Sequence, residues 1–473
     1  MIILIFANLL KIKNYNFMNL FFFQILESCT LKEALAYINQ NKHGIIFAKN
    51  ADNQIVGIAT DGDIRTKLLE GVGLDESIGS IVNKNFIWAT NKTPRELLLK
   101  QLDYNIKVIP ILTDNKELID VVSRNYFPII SEKSIFARSK SPVRISFGGG
   151  GSDTSNYFKS LKGVVISATI SLYSHCTLKI RDDLKIIIDS IDLDETLELN
   201  DINELLNHEG AFSLIKNIIK AIMPAFGFEL YIHSDFPINS GLGGSAVVSS
   251  AILGCFNQFR SDKWDKYEIA EIAFQAERLH LGIAGGWQDQ YASVFGGFNF
   301  MEFNFDQNII NPIRLNSEIL LELEESLILC YTGITHDSGN IHNDQKEQTK
   351  SVLVKKRIES NVKLTFEMRD YLLKGRLFEF GKCLHRSWDL KKGFSSKISN
   401  PTLDEIYEGA INNGAIGGKL LGAGGGGFFL FYVQPFDKLK FMSWLKAKNL
   451  KYTPFVFEEK GLQSWTVREK IYN

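Results

Sequence analysis

The octet NSGLGGSA, residues 239–246, constrains the fold of this chain more than any other stretch. It runs directly into VVSSAILGCF, a small-residue apolar segment with the character of a helix. The glycines leave backbone N–H groups free to converge on an anion, and Ser245 lies at the predicted helix N-terminus, where the dipole favours negative charge. We therefore predict a phosphate-binding loop. Its residues are Pro237, Asn239, Ser240, Gly241, Leu242, Gly243, Gly244, Ser245 and Ala246.

This loop differs from two well-known phosphate-binding motifs. The chain contains no G-x-x-x-x-G-K-[ST] sequence, which excludes the Walker type. It also lacks a G-x-G-x-x-G opening with a ribose-binding acid about 20 residues further on, so a dinucleotide site is disfavoured.

Two further glycine loops occur in the same chain, and we number the three in chain order: 141–158 is the first, 239–246 the second and 417–433 the third. SPVRISFGGGGSDTSNYF, residues 141–158, has the pattern of a strand, a glycine run and a helix start. GGKLLGAGGGGFFLFYV, residues 417–433, places small residues before a β-prone apolar run. Each alone is equally well explained as a sharp turn or a bulged strand start, but three together suggest backbones packed around one ligand. The candidate substrate-binding residues are Gly150, Gly151, Ser152, Asp153, Gly424, Gly425 and Gly426.

Two carboxylates lie between the second and third loops, in AFQAERLHLGIAGGWQDQYASVFGG. Glu277 and Ser245 together offer the oxygen ligands that Mg²⁺ prefers. Asp289 is then available to accept the proton of an attacking hydroxyl group. The alternatives are a surface ion pair of Glu277 with Arg278 or Lys263, and a helix cap at Asp289.

The ordered motifs SPVRISFGGGGSD, FPINSGLGGSA, AERLHLGIAGGWQDQ and GGKLLGAGGGG resemble the GHMP kinase superfamily over residues 138–465. GGWQDQYASVFGGFNFMEF and YTGITHDSGNIHNDQ are similar to its heptose 7-phosphate kinases. The resemblance implies a two-lobed α+β fold, ATP on the second loop, and Mg²⁺ on Ser245 and Glu277. It further implies Asp289 as catalytic base with Arg144 beside it, and Asp153 on sugar hydroxyls.

One position departs from that family's usual pattern. Most members have two serines after GLG, whereas this chain has Gly244 and then Ser245. The metal contact would then depend on a single hydroxyl group.

The N-terminal part has a different pattern, helix–strand–turn–strand, with strands at 44–49 and 55–60 and turns at 52–53 and 114–115. It recurs about 60 residues later and resembles a pair of CBS motifs, a small α/β domain, over residues 18–128. In GIATDGDIR, Thr60 and Asp63 match the positions that hold a nucleotide ribose in that family. A helix N-cap explains the same two residues without a ligand. The resemblance also makes a homodimer one option.

The predicted domains are a CBS-pair module at 1–130, whose true start is either Met1 or Met18, a linker at 131–140, and kinase lobes at 141–330 and 331–473. The formal net charge of −1 gives no indication of a nucleic-acid partner. The apolar N-terminal patches are too short to span a bilayer, and the five scattered cysteines favour a reducing compartment. We therefore expect a cytoplasmic protein without a membrane partner.

The expected reaction is phosphorylation of the anomeric hydroxyl of a heptose 7-phosphate by ATP with Mg²⁺, for surface polysaccharide synthesis. The acceptor is thus a sugar phosphate. The alternatives are a kinase for another sugar, of the fucose or galactose type, and a non-catalytic nucleotide or sugar sensor. A cluster in HRSWDLKKGFSSKISNP is either a site for the acceptor's phosphate or a solvated helix end. It comprises Arg386, Lys391, Lys392, Ser395 and Ser396.

Overall fold

The computed structural model describes residues 19–91, 93, 95–102, 106–123, 134–238, 240–280, 282, 285–334, 341, 344, 348 and 351–468. The chain forms two compact units, one within residues 1–133 and the other comprising Ser134–Arg468. Met18, Asn239 and the expected linker residues 131–133 lie outside the described residues.

The first unit contains the predicted repeat. Its elements are β1 (Gln24–Leu26), α1 (Leu31–Asn41), β2 (Ile45–Lys49), β3 (Ile55–Thr60), α2 (Asp61–Leu69), α3 (Arg95–Gln101), β4 (Val108–Leu112) and β5 (Leu118–Ser123). β2 pairs with β1 in parallel and with β3 antiparallel, and β4 and β5 form a second antiparallel pair. The order helix–strand–strand therefore occurs twice, as the sequence predicts.

Apolar spacing and local capping explain α1. Leu31, Ala34 and Ile38 are buried at helical intervals, so one face of the helix packs on the core of this unit. Thr30 begins the helix: its hydroxyl accepts from the N–H of Glu33, and the Glu33 carboxylate accepts from the N–H of Thr30.

Thr60 and Asp63, the candidate ribose-binding residues, form the same kind of capping box at the start of α2. The N–H of Asp63 donates to Thr60 Oγ1 at 3.1 Å, and the Thr60 N–H and hydroxyl donate to Asp63 Oδ2 at 2.8 and 2.7 Å. Both side chains thus stabilise the start of α2. This is the N-cap role that the sequence offers as the alternative to ribose binding.

The second unit contains two sheets and the helices that cover them. Its strands are β6 (Ser134–Gly148), β7 (Gly163–Ile180), β8 (Ile186–Ser190), β9 (Glu195–Leu199), β10 (Phe228–Ser234), β11 (Phe298–Phe303), β12 (Asn308–Pro312), β13 (Leu327–Tyr331), β14 (Ala415–Leu420), β15 (Phe428–Val433), β16 (Lys451–Thr453) and β17 (Gln463–Arg468). Its helices are α4 (Ser155–Phe158), α5 (Ile202–Asn207), α6 (Ser213–Ile222), α7 (Gly244–Asn257), α8 (Lys266–Phe274), α9 (Gln288–Phe295), α10 (Ser317–Ser326), α11 (Val352–Leu373), α12 (Leu377–Lys392), α13 (Pro401–Asn412) and α14 (Lys438–Ala447).

The long strand β7 organises the larger sheet. Its first part pairs with β11, its last part with β10, and β6 pairs along it, all antiparallel. The complete path is β12-β11-β7-β10-β8-β9, with β17 on β6. The smaller sheet has the order β14-β15-β13-β16.

One apolar cluster joins the two lobes. Phe147 of β6, Phe380 and Leu384 of α12, and Leu430 of β15 are all buried in it. Phe147 contacts Phe380 edge to face, with ring centroids 5.2 Å apart. The ends of β6, α12 and the loop between β14 and β15 are therefore held close together, which is where the glycine loops occur.

The structure differs from the predicted domain bounds at three places. The polar stretch taken as a linker is a strand from Ser134 onward, because Ala137, Ser139 and Ser141 are small and face the core in alternation. The predicted boundary between the kinase lobes, at residues 330 and 331, falls within β13 of the smaller sheet, which begins at Leu327. Finally, β17 returns to pair with β6, so residues 463–468 complete the first lobe's sheet.

We predict that Thr60→Ala weakens the start of α2 by about 1 kcal/mol, because an N-cap hydroxyl is lost. Amide hydrogen exchange of the full chain checks this: peptides covering residues 61–69 should exchange faster in the variant. Thr66→Ala is the matched control, since the Thr66 hydroxyl only contacts the carbonyl of Gly62 within the same helix. Equal exchange in wild type and Thr60→Ala would contradict the capping role.

Candidate active site

The three glycine loops meet at one cavity of about 370 Å³. The second and third loops touch backbone to backbone: the N–H of Phe428 donates to the carbonyl of Ser240 at 3.2 Å. Gly241 and Gly422 both have positive φ, 80° and 66°, and a Cβ on Gly422 would lie 2.6 Å from the Cα of Gly241. Side chains at these two positions would push the loops apart, which explains the glycines.

α7 begins at Gly244, next to the contact between Gly241 and Gly422. Gly243 occupies its N-cap position with φ 81°, and no side chain caps the helix. The first N–H groups of α7 therefore lie at the cavity without a side-chain cap, as an anion site requires. Glycine at position 244 has a different explanation, because a Cβ there would lie 2.9 Å from Phe236 Cε2. The Phe236 ring thus takes the space that a second serine would use.

Arg144 ties the first two loops to α9. It is 2% exposed, and its Nε donates to Asp289 Oδ1 at 2.8 Å. Nη2 lies 2.8 Å from the same oxygen, and Nη1 donates to the carbonyl of Gly241 at 2.8 Å. Asp289 keeps 19% of its side chain exposed and lines the cavity.

Ser245 and Glu277 also meet, as the sequence predicts. The Ser245 hydroxyl donates to Glu277 Oε1, and Gln290 Nε2 donates to Oε2 at 2.6 Å. Glu277 is 1% exposed, and Arg278 Nη1 lies 3.3 Å from it. It lies in a π-helical turn, Gln275–His280, which continues α8. Such turns often occur at functional sites, and this one turns Glu277 toward the start of α7.

Most of the predicted residues line this cavity. They are Arg144, Gly150, Gly151, Asp153, Ser240, Gly241, Gly243, Gly244, Ser245, Glu277 and Asp289.

Several other predicted residues lie behind the cavity wall. Leu242 and Ala246 are fully buried in the core, and Ser152 bonds to the backbone of Gly149 and Val164. Pro237, by contrast, is exposed and does not line the cavity.

In the third loop, Gly422 and Ala423 line the cavity, not Gly424, Gly425 and Gly426. The last three pack instead on the neighbouring backbone: the N–H of Gly425 donates to the carbonyl of Ile398 at 2.8 Å. The sequence shows the glycine run but not which part of it faces the ligand.

A polar group of lining residues surrounds Asp153. The N–H groups of Gly151 and Gln288 donate to its carboxylate at 3.0 and 3.2 Å. Burial, and then the charge of Asp289, raise the pKa of Asp153. Asn361 of α11 reaches this group by donating to the carbonyl of Gly150 at 3.2 Å. The arrangement offers hydrogen-bonding groups suited to hydroxyls.

A second group of lining residues is mainly apolar. Leu193, Leu214, Ile215 and Ile232 belong to or pack on one core cluster. Asp192 also lines the cavity and accepts from both the N–H and the hydroxyl of Ser234, at 2.9 and 2.7 Å. Apolar walls with few polar groups suit a flat heterocycle.

Two lysines line the cavity as well. Lys419 is 3% exposed and donates to the carbonyl of Phe147 at 3.2 Å. Burial, and then the charge of Arg144, lower the pKa of Lys419 to about 7. Lys391 donates to the carbonyls of Leu420 and Gly422 at 2.9 and 2.6 Å.

The remaining members of the predicted phosphate cluster do not reach the cavity. Arg386 pairs with Glu367 at 2.7 Å and its side chain is 55% exposed. Lys392 lies 3.6 Å from Asp389, and the Ser395 hydroxyl donates to Asp344. Of this cluster, only Lys391 lines the cavity.

Sequence reasoning missed Lys419, Gln288, Asn361 and Phe236. A lysine between glycines and leucines in GGKLL is unusual for a buried strand, so Lys419 could have been noticed. Asn361 carries no such signal, because one asparagine in a long helix has no distinguishing pattern.

Two family profiles match this chain. The GHMP kinases N terminal domain matches residues 213–297, and the GHMP kinases C terminal domain matches residues 368–441. Both matches lie inside the second unit.

Individual proteins match over much longer stretches. The D-glycero-alpha-D-manno-heptose 7-phosphate kinase of Campylobacter jejuni is 37% identical over 336 residues, which cover 70% of this chain and 99% of that protein. A crystal structure described as a D-glycero-D-manno-heptose 1-phosphate kinase from Bacteroides thetaiotaomicron has a TM-score of 0.59 and 31% identity, covering 70% of this chain and all of that one. A putative sugar kinase from Campylobacter jejuni has a TM-score of 0.58 and 34% identity, covering 71% and 100%.

This chain belongs to the GHMP kinase family. It is an ATP-dependent phosphotransferase with an alcohol group as acceptor, and within the family it is a sugar kinase. No helix in the described part of the chain combines the length and apolarity of a membrane span.

We predict that the stability of wild type relative to Lys419→Met rises between about pH 7 and pH 10. The folded state releases the Lys419 proton near pH 7, whereas the unfolded chain keeps it to about pH 10.4, so the unfolded state binds more protons in that window. The slope approaches about 1.4 kcal/mol per pH unit.

Thermal melting of the two full-length proteins across this pH range checks the prediction. Lys448→Met, at an exposed ion pair with Glu405, is the control and should show no such trend. A constant difference between wild type and Lys419→Met at all pH values would contradict it.

Proposed function

We propose that this sugar kinase transfers the γ-phosphoryl group of ATP to the anomeric hydroxyl of D-glycero-D-manno-heptose 7-phosphate, giving the 1,7-bisphosphate. The observation that carries the proposal is the meeting of two pairs at one cavity: Arg144 with Asp289, and Ser245 with Glu277. The first pair suits proton abstraction, and the second suits a metal beside the phosphates. The 37% identity to a heptose 7-phosphate kinase supports the choice of acceptor.

In the proposed reaction, the N–H groups at the start of α7 bind the ATP phosphates, and the apolar group around Leu193 and Ile215 receives the adenine ring. Asp289 accepts the proton of the anomeric hydroxyl as the oxygen attacks the γ-phosphorus. Arg144 fixes the orientation of the Asp289 carboxylate through Nε and Nη2. Asp153, with Gln288 and Asn361 around it, holds the sugar hydroxyls.

The Ser245–Glu277 pair fits Mg²⁺, because a buried carboxylate and a hydroxyl are hard oxygen ligands at the start of the phosphate loop. Bound there, the ion would offset the negative charge of the phosphates. Gln290 would keep Glu277 in position through its 2.6 Å hydrogen bond.

A kinase for an unphosphorylated sugar, of the fucose or galactose type, is the alternative. One observation favours it: Arg386 and Lys392, expected at the acceptor's phosphate, pair with carboxylates outside the cavity. Membership of the kinase family does not favour the non-catalytic sensor.

The proposal extends to the rest of the chain. We propose that the repeat of the first unit is a CBS-type pair, supported by the element order, and that a nucleotide binds at Thr60 and Asp63 with their capping box intact. A cytoplasmic homodimer that supplies heptose for surface polysaccharide belongs to the same proposal.

The test is ATP turnover with Mg²⁺ on sugars with and without a terminal phosphate, in wild type and Asp289→Asn. We expect turnover of heptose 7-phosphate, reduced about 10²- to 10⁴-fold in the variant, because the base is lost. Asp306→Asn, at an exposed loop residue, should keep wild-type turnover. Preferred turnover of free fucose or galactose would overturn the acceptor, and full activity of Asp289→Asn would overturn the base.

A further inference from the structure

Lys391 lies at the junction of the glycine loops. Its ammonium group donates to the carbonyls of Leu420 and Gly422, at 2.9 and 2.6 Å, and it lines the cavity. Gly422 in turn packs directly on Gly241, whose carbonyl accepts from Arg144. Lys391 is therefore next to the phosphate loop and the Arg144–Asp289 pair. It is far better placed for the reacting groups than its neighbour Lys392, which pairs with Asp389.

The surroundings of Lys391 are rich in positive charge. Burial, and then the charges of Lys419 and Arg144, lower the pKa of Lys391, while Asp289 opposes this shift. Asp289 is already the ion-pair partner of Arg144. The charge of Asp153 likewise opposes the lowered pKa of Lys419. An anion bound between Lys391, Lys419 and Arg144 would act in the same direction and favour the charged form of both lysines. The site is thus electrostatically prepared for a highly charged anion.

Hydrogen-bonding capacity supports the same conclusion. An ammonium group has three donors, and the two carbonyls use two of them. The carbonyl contacts hold the side chain in place without neutralising its charge. A fixed cation with donor capacity, next to a phosphate loop, is what a phosphoryl group in transfer requires.

We propose that Lys391 is a catalytic residue whose ammonium group contacts the phosphoryl group while it passes from ATP to the acceptor hydroxyl. The inference rests on the proposed function. The bond between the γ-phosphorus and the β–γ bridging oxygen breaks, and the bond to the acceptor oxygen forms. The acceptor's proton goes to Asp289, and Lys391 keeps its own protons throughout.

Lys391→Met tests this role, because methionine keeps much of the side-chain volume but removes the charge. We expect kcat to fall about 10²- to 10³-fold, as for loss of one transition-state donor, while the KM for ATP changes far less. Lys382→Met is the matched control on the same helix: Lys382 is exposed and pairs with Glu379, so its turnover should equal wild type.

A binding measurement separates this role from a purely structural one and needs no acceptor. ADP affinity is compared with and without aluminium fluoride, a mimic of the phosphoryl group in transfer. We expect the fluoride-dependent gain in affinity to be reduced in Lys391→Met, with ADP affinity and melting temperature close to wild type. This arm decides the role of Lys391 even if the acceptor proves to be another sugar.

Three results would overturn the proposal. An unchanged kcat in Lys391→Met would show that the charge is not needed. A parallel loss of ADP affinity and melting temperature would show that Lys391 only holds the third glycine loop. A raised KM confined to phosphorylated acceptors, with the fluoride effect intact, would assign Lys391 to the acceptor's terminal phosphate instead.

Discussion

The buried guanidinium of Arg144 is the interaction on which the rest of the site depends. It contacts Asp289 through two nitrogen atoms and the carbonyl of Gly241 through the third. A strand, a glycine loop and a helix start, far apart in sequence, are thereby fixed to one another. Breaking the contact would leave a charge unpaired inside the protein, so the arrangement is held strongly. Around it, the two sheets and the helix α12 share one apolar core.

The glycines follow from this arrangement. A phosphate loop must leave its N–H groups accessible, and a neighbouring loop must close over it without side chains between them. Gly241 and Gly422 meet at that contact, both in the left-handed region. The same crowding explains Gly244, because the Phe236 ring occupies the space where a second serine would lie. The change from the usual family pattern is thus accompanied by a packing partner and leaves Ser245 with Glu277.

The sequence predicts much of this site because the relevant residues occur in short, chemically unusual motifs. Ser245 and Glu277 are paired by their chemistry as oxygen ligands, and the resemblance to the GHMP kinases implies the pairing of Arg144 with Asp289. Other features depend on three-dimensional direction. The π-helical turn that aims Glu277 has no pattern in the sequence, and the choice of Lys391 over Lys392 depends on which way one helix face points. Polar composition predicts a linker at 131–140, whereas Ala137, Ser139 and Ser141 are buried in a strand. In the third loop, only packing on Ile398 shows that Gly425 faces away from the cavity.

The central claim is that Asp289, held by Arg144, receives the proton of a sugar hydroxyl beside the bound triphosphate. A crystal structure of the full chain with a non-hydrolysable ATP analogue and heptose 7-phosphate tests it most directly. The account predicts the anomeric hydroxyl within about 3 Å of the Asp289 carboxylate, with the triphosphate at the start of α7. A sugar bound with its anomeric hydroxyl away from Asp289, or a triphosphate bound away from Gly243 and Ser245, would contradict it.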